Sequence, residues 1–334
     1  MTEHMQWALI GASNVANEWM IDAIRSQPSF SIKSVLSSDA ERGTAFARKH
    51  HIPHSTTHLS DILEDPDIHA VYISTHNAKH YAQAMASALA GKHILCEKPL
   101  ALTLSEASSI IKAAQKSGVV FGTNHHLRCS AVHQALRQKI HDGSIGQLNT
   151  VRVFHANFID PSNAGWRVNS TDGGLILDST IHDIDTLRFL LGSDPTHVFA
   201  MSQSGRRGTR GVEDGIMAVL RFPGDLLVQI HGSYAVPSAP GGVEVFGETG
   251  ALIARDCMSQ KPIGSLHLRN TTGEHAIPIV HHNLYYYALE RFRKAIIGQD
   301  TPAATGQDGR AALHIALALK TAIQTGRQVE VHLP

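Results

Sequence analysis

The feature that most restricts the fold is an alternation across the first third of the chain: short apolar runs separated by segments of helical spacing. Residues 7–10 read Trp-Ala-Leu-Ile, with no polar interruption. Val15, Ala16, Trp19, Met20, Ala23 and Ile24 then recur at the three- and four-residue spacing of an amphipathic helix. Further apolar runs lie at 32–36, 70–73, 93–96 and 119–121, with helical patterns around 40–49 and 80–90. Thr103 and Glu106 have the spacing of a capping box and open another helix, which runs to Lys116. Strands apolar on both faces and joined by helices imply right-handed crossovers and a parallel sheet covered on both sides.

The rhythm changes after Asn124. A helix at 132–140 leads into a long strand at 149–158, and a stretch rich in Gly, Pro, Asn and Ser at 160–174 reads as a loop. A helix at 178–191 follows. Strands at 197–204, 216–222, 226–234, 243–246 and 252–255 have no helices between them, which implies antiparallel pairing. Helical patterns at 284–297 and 311–325 close the chain. The expected fold is α/β: a doubly wound parallel sheet in residues 1–124, then an α+β domain with a large, mainly antiparallel sheet in residues 125–334.

Composition narrows the function. A length of 334 residues suits two domains. Lys and Arg (29) balance Asp and Glu (29), so a surface that neutralises nucleic-acid phosphates is not expected. At 43% hydrophobic the chain is far from disordered composition, and no apolar run approaches the roughly 20 residues of a membrane span. The first residues lack a basic segment leading into an apolar one, so no secretory signal is expected. Cys96, Cys129 and Cys257 are odd in number and widely spaced, which fits a reduced, cytoplasmic setting. The 23 histidines include a cluster at His50, His51, His54 and His58, but Pro53 interrupts it and no His-Glu-x-x-His occurs, so no metal site is expected.

Chemistry enters at the first strand–helix junction. Gly11-Ala12-Ser13-Asn14-Val15-Ala16 stands where a dinucleotide-binding turn belongs, with Ser13 and Ala16 in place of the second and third glycines. The free N–H groups of the following helix suit a pyrophosphate. The second strand ends in Ser37-Ser38-Asp39-Ala40-Glu41-Arg42. An acid there binds the ribose hydroxyls of NAD, whereas a basic residue takes the 2′-phosphate of NADP. Ser37 and Arg42 favour NADP(H); Asp39 is the dissenting residue. Glu97-Lys98-Pro99 closes the fourth strand, placing Lys98 at the ligand end of the sheet. Asp178 and His182 are i and i+4 on one helix face, and Asp185, at i+7, continues it.

With these motifs on the page, the chain resembles the family of glucose–fructose oxidoreductase, inositol dehydrogenase and the rhizopine catabolism protein MocA. The resemblance runs through the glycine turn, Asn77-x-x-His80, the segment from Gly91 to Pro99, and Gly173-Gly174-Leu175-Ile176-Leu177-Asp178-x-x-x-His182. Further likeness, to members that reduce a cyclic sugar ketone, lies in Gly122-Thr123-Asn124-His125-His126-Leu127-Arg128, Gly165-Trp166-Arg167 and Gly211-Val212-Glu213-Asp214-Gly215. It implies a Rossmann domain and an NADP(H)-dependent enzyme that reduces a sugar ketone by hydride transfer. Lys98 is the expected general acid with His182 assisting, or the reverse, and Asp178 completes the catalytic set. Gly11, Ala12, Ser13, Asn14, Val15, Ser37, Ser38, Arg42, Thr75, Asn77, His80, Glu97 and Lys98 are expected on the cofactor. Asn124, His125, Trp166, Arg167, Asp178, His182 and Tyr285 are expected on the sugar. Alternatives are an NAD(P)-dependent dehydrogenase of another cyclic polyol, an NAD-dependent glycosidase and a non-catalytic NADP sensor. The resemblance also allows a homo-oligomer built through the C-terminal sheet.

Overall fold

The structure, a computed structural model, describes residues 4–160, 164–170, 172–239 and 241–332. Met1–His126 with Tyr285–Arg310 forms one compact unit; Leu127–Leu284 with Ala311–Pro334 forms a second.

The first unit is built on strands β1 (Met5–Ile10), β2 (Phe30–Leu36), β3 (His54–Thr56), β4 (Ile68–Ile73), β5 (His93–Cys96) and β6 (Phe121–Thr123). Helices α1 (Ile21–Ser26), α2 (Ala40–Lys49), α3 (Leu59–Leu63), α4 (Asn77–Leu89) and α5 (Leu104–Lys116) connect them. All pairs are parallel, in the order β3-β2-β1-β4-β5-β6. The chain leaves β1 toward one edge and returns through β4 toward the other, so β1 and β4 flank the switch point where such sheets bind ligands. Trp7, Leu9 and Ile10 on β1 and Val71, Tyr72 and Ile73 on β4 are fully buried, as strands covered on both faces require. The capping box is present: Glu106 N donates to Thr103 Oγ1 (3.2 Å) and Thr103 N to Glu106 Oε2 (3.1 Å). The β3–α3 excursion is an addition to the expected elements. Its strand, His-Ser-Thr, is a largely exposed edge with no apolar run to announce it.

The second unit carries α6 (Ala131–His141), β7 (Leu148–Ala156), α7 (Ile181–Leu191), β8 (His197–Ser204), β9 (Glu213–Arg221), β10 (Leu227–Ser233), β11 (Gly242–Gly247), β12 (Ala251–Arg255), β13 (Ser265–Asn270) and β14 (Gly273–Ile277). Helices α8 (Leu284–Ile296) and α9 (Gly306–Thr325) and strand β15 (Val329–Glu330) close the chain. The nine strands run β14-β13-β12-β11-β7-β10-β9-β8-β15, antiparallel except for the parallel pair β7–β10. Val151, Val153, Ile216, Ala218, Leu220, Val228, Ile230, Val243 and Val245 turn to a buried face. On the other face Phe199 lies opposite Val219, and Met201 opposite Met217, all four exposed. The hairpin β13–β14, Ser-Leu-His-Leu-Arg-Asn and Gly-Glu-His-Ala-Ile, is a further addition to the expected elements. The loop expected over 160–174 contains residues 161–163 and 171, which lie outside the described residues; a 3₁₀ turn, Gly165–Val168, stands between them.

One expectation about domain limits needs correction. The sequence pattern places all of residues 125–334 in the second domain, but Tyr285–Arg310 belongs to the first unit. The Phe292 ring lies 5.5 Å from that of Trp7, and a Cβ on Gly122 would come within 3.3 Å of it. An amphipathic pattern says that a helix has a buried face but not which core receives it.

Candidate active site

In the first unit the turn after β1 is drawn tight. Gly11 has φ +121°, and a Cβ there would lie 3.0 Å from Ser74 O, so only glycine fits. Ser13 Oγ accepts from Ala16 N (3.1 Å) and shares a 2.8 Å bond with Ser74 Oγ. Ser13 thus joins the turns that follow β1 and β4. Ala12, Asn14 and Val15 lie in the same turn, with Asn14 exposed. A glycine where the backbone must stay bare, followed by a helical turn with open N–H groups, fits a pyrophosphate.

At the end of β2, Arg42 Nε donates to Ser37 Oγ (3.2 Å) and Arg42 Nη2 to Ser38 Oγ (3.1 Å). Asp39 is the N-cap of α2, its Oδ1 accepting from Arg42 N at 2.7 Å. That bond satisfies one of the helix's open donors and sets a negative charge at its positive end. The dissenting acid therefore has a structural occupation beside a guanidinium already aimed by two hydroxyls.

The ends of β4, β5 and β6 form a second polar group. Thr75 Oγ1 donates to Gln83 Oε1 (2.6 Å), and Asn77, 3% exposed, opens α4. His80 is fully buried, with Nδ1 2.7 Å from Pro99 O and Nε2 3.0 Å from Thr75 O. Burial lowers its pKa, against the pull of those two carbonyls. His80 thus lies between the segment after β5 and the one after β4, its single N–H in the neutral ring donating to one of the two carbonyls. Lys98, partly exposed, precedes Pro99 through a cis peptide bond. Glu97 Oε1 accepts from Tyr72 Oη (2.6 Å) and Asn124 Nδ2 (2.5 Å). Burial pushes the Glu97 carboxyl pKa up, while Lys98 and both donors oppose the rise. Glu97 was expected on the cofactor; its carboxylate meets Tyr72 and fixes Asn124. Asn124 and His125 are both 2% exposed and line a small cavity with Thr123, Phe292 and Pro302. Tyr285 is completely buried, its ring stacked at 5.6 Å with Trp19 and 5.4 Å with His126.

In the second unit Asp178 lies in a π-helical turn, Ile176–Thr180, that runs directly into α7. Its Oδ2 accepts from Tyr234 Oη at 2.6 Å and pairs with Arg167 Nε at 3.1 Å. The Arg167 guanidinium also stands 5.4 Å from the centre of the Trp166 ring. Burial, with the nearby Asp178 charge adding, pushes the Tyr234 pKa well up, so the phenol keeps its proton and donates. His182, 7% exposed, lies in the first turn of α7. Asp185 does not continue this set. It is 1% exposed and accepts from Arg128 Nε (2.7 Å) and Nη2 (2.8 Å). The i→i+5 turn inserts an extra residue and shifts the phase of everything after it. Beside these groups His155 Nδ1 lies 2.7 Å from Asp183 Oδ1, and burial raises the Asp183 pKa. Sequence reasoning missed Tyr234, His155 and Asp183. Tyr234 ended an expected strand, but nothing local tied it to Asp178, and His155 was one histidine among 23.

Among the described residues no group of three or more His, Cys, Asp or Glu is placed to hold a metal ion, and no helix is long and apolar enough to cross a membrane.

Comparison with known proteins bears on the family and the fold. Residues 5–125 match the oxidoreductase family with an NAD-binding Rossmann fold, and residues 133–253 match the GFO/IDH/MocA C-terminal domain. The 1,5-anhydro-D-fructose reductase of Ensifer adhaerens is 46% identical over 328 residues, 98% of each chain. The myo-inositol 2-dehydrogenase of Thermotoga maritima is 29% identical over 281 residues, 81% of this chain and 82% of that one. In fold, the aldose-aldose oxidoreductase of Caulobacter crescentus superposes with a TM-score of 0.90 at 24% identity, over 98% of this chain and 100% of that chain. With a family model matched in each of two segments and a near full-length relative at this identity, the chain belongs to the GFO/IDH/MocA family of oxidoreductases, its residues 5–125 a nicotinamide-nucleotide-binding Rossmann fold.

Proposed function

We propose that the protein is an NADP(H)-dependent reductase of a sugar ketone, with 1,5-anhydro-D-fructose reduced to 1,5-anhydro-D-mannitol as the leading reaction. The observation that carries the substrate is the 46% identity, end to end, with the 1,5-anhydro-D-fructose reductase of Ensifer adhaerens. The Arg42 guanidinium, aimed by Ser37 and Ser38 while Asp39 caps its helix, supports NADP over NAD. Oxidation of a cyclic polyol is the second reading, favoured by the likeness to the Thermotoga inositol dehydrogenase.

The residues fit these roles. Gly11 to Val15 would cradle the pyrophosphate, Ser37, Ser38 and Arg42 the 2′-phosphate, and Thr75, Asn77 and Lys98 the nicotinamide side, while His80 and Glu97 hold that side together. When bound, the nicotinamide supplies the hydride. Lys98 would stabilise the carbonyl oxygen as charge develops and give it a proton, with His182 donating a hydrogen bond. Asp178, held by the Tyr234 phenol and Arg167, would take a sugar hydroxyl. Trp166 would cover the apolar ring face and Arg167 would donate to oxygens. Asn124 and His125 are further candidate substrate contacts; Tyr285, being enclosed, is assigned to packing.

The test follows NADPH and NADH consumption with purified protein and 1,5-anhydro-D-fructose. Fast NADPH oxidation with slow NADH use is expected; no turnover of either, with cofactor bound, overturns the substrate assignment. Arg42→Ala should raise the KM for NADPH by about tenfold or more, the worth of a charge-assisted bidentate contact, and leave NADH nearly unchanged. Equal losses for both would remove the phosphate assignment.

The exposed apolar face at Phe199, Met201, Met217 and Val219 supports a homo-oligomer through this sheet. Met217→Glu is then expected to yield monomers by sedimentation, and a wild-type protein that already sediments as a monomer ends the idea.

A further inference from the structure

Between β8 and β9 the chain runs Gly205-Arg206-Arg207-Gly208-Thr209-Arg210-Gly211. This segment grips the chain on both sides of Trp166 and Arg167 in sequence. On one side Thr209 N donates to Val168 O (2.9 Å) and Thr209 Oγ1 to Asn169 Oδ1 (2.9 Å). On the other, Arg207 Nε and Nη2 donate to Ile159 O (3.0 and 2.8 Å), and the guanidinium lies 3.7 Å from the centre of the Phe158 ring. Gly208 sits so close to the turn that a Cβ would fall far inside van der Waals contact with Val168 O and the Val168 side chain. The segment is fastened at its root by Asp214, 1% exposed, whose Oδ2 accepts from Arg206 N (2.6 Å) and Arg207 N (2.7 Å). The Asp214 carbonyl in turn accepts from Tyr234 N at 2.8 Å, and Tyr234 carries the phenol on Asp178.

A single 3₁₀ turn is too short to fix an indole and a guanidinium by its own hydrogen bonds. Groups that must sit within about 0.5 Å of a working position need a second layer that locks them. We propose that the Gly205–Gly211 strap is that layer, and that Gly208 and Asp214 are positioning residues for sugar recognition through Trp166 and Arg167. This rests on the reading that Trp166 and Arg167 contact the sugar. Gly208 acts by letting the two backbones meet, and Asp214 by holding the strap and the Tyr234 strand end at one point.

The experiment compares Gly208→Ala, Asp214→Asn and Trp166→Ala with the wild-type enzyme. Sugar KM and kcat, NADPH affinity, and amide hydrogen exchange in residues 164–170 are measured. A displacement of about 1 Å in a positioning element can cost on the order of a hundredfold. Gly208→Ala is therefore expected to raise the sugar KM at least about tenfold, with kcat within about threefold and NADPH affinity unchanged. Exchange across 164–170 should quicken. Asp214→Asn, which preserves volume, should move the same quantities in the same direction and stands in should Gly208→Ala not fold. Unchanged exchange in both strap variants overturns the proposal. So does faster exchange with an unchanged KM when Trp166→Ala does raise it. If Trp166→Ala also leaves KM unchanged, the strap still holds the turn, and the assignment of Trp166 to the sugar is what fails.

Discussion

Lys98→Met is expected to lower turnover by about a hundredfold or more while nicotinamide-nucleotide binding persists. General acid catalysis by a positioned group contributes roughly a hundred- to ten-thousandfold, and methionine keeps an unbranched side chain one atom shorter while removing its charge and proton. Bonds that do not involve the ammonium also hold the local backbone: the Pro99 carbonyl lies 2.7 Å from His80 Nδ1, and Glu97 accepts from Tyr72 and Asn124. The variant therefore reports on proton delivery rather than on a collapsed turn. Single-turnover oxidation of NADPH, read by fluorescence beside an equilibrium titration of the nucleotide, separates the two. An unchanged rate would move the acid role to His182, whose own replacement would then carry the loss.

The second large effect is on stability. Asp185→Ala should cost about 3–5 kcal/mol, the usual result of breaking one side of a buried ion pair. Asp185 is 1% exposed, its partner Arg128 has a side chain only 11% exposed, and Arg188 lies 3.8 Å away on the same helix. Removing the carboxylate leaves the Arg128 guanidinium enclosed, with its two short bonds gone. Arg128→Met with Asp185→Leu should recover much of the loss, because an apolar pair of similar volume asks for no charge to be desolvated. Urea denaturation followed by circular dichroism measures both variants. A cost below about 1 kcal/mol for the single change would place this pair with exposed ones.

Asp185 also shows where sequence reasoning stopped. Spacing of four and seven residues put Asp178, His182 and Asp185 on one stripe, correct for a continuous α-helix. The π turn at Ile176–Thr180 differs from an α turn by one residue per hydrogen-bonded ring, and no side-chain pattern marks it. By contrast α2 and β5 were legible to the residue. One starts at a capping acid and ends beside His50, and the other is a short apolar run between Lys92 and Glu97. Asp39 was visible as an acid at the cofactor-selecting position, yet its carboxylate had two possible uses and only coordinates show the cap. The Tyr234–Asp178 bond joins residues 56 apart, and the Asp214 strap depends on backbone N–H groups, which every sequence has alike. Local signals end where contacts become long-range.

The return of Tyr285–Arg310 to the first unit bears on how the protein can be divided. A polypeptide ended at the close of β6 would contain every residue proposed to face the nucleotide and still lack Phe292 beside Trp7 and the Thr305 carbonyl that accepts from Thr123 Oγ1. Such a fragment would expose an indole that is wholly enclosed in the intact chain, and would tend to aggregate rather than bind cofactor. A nucleotide-binding piece that folds by itself would need residues 285–310 spliced back onto it through a short linker. In the cell, the Rossmann core can finish only after residue 310 has left the ribosome.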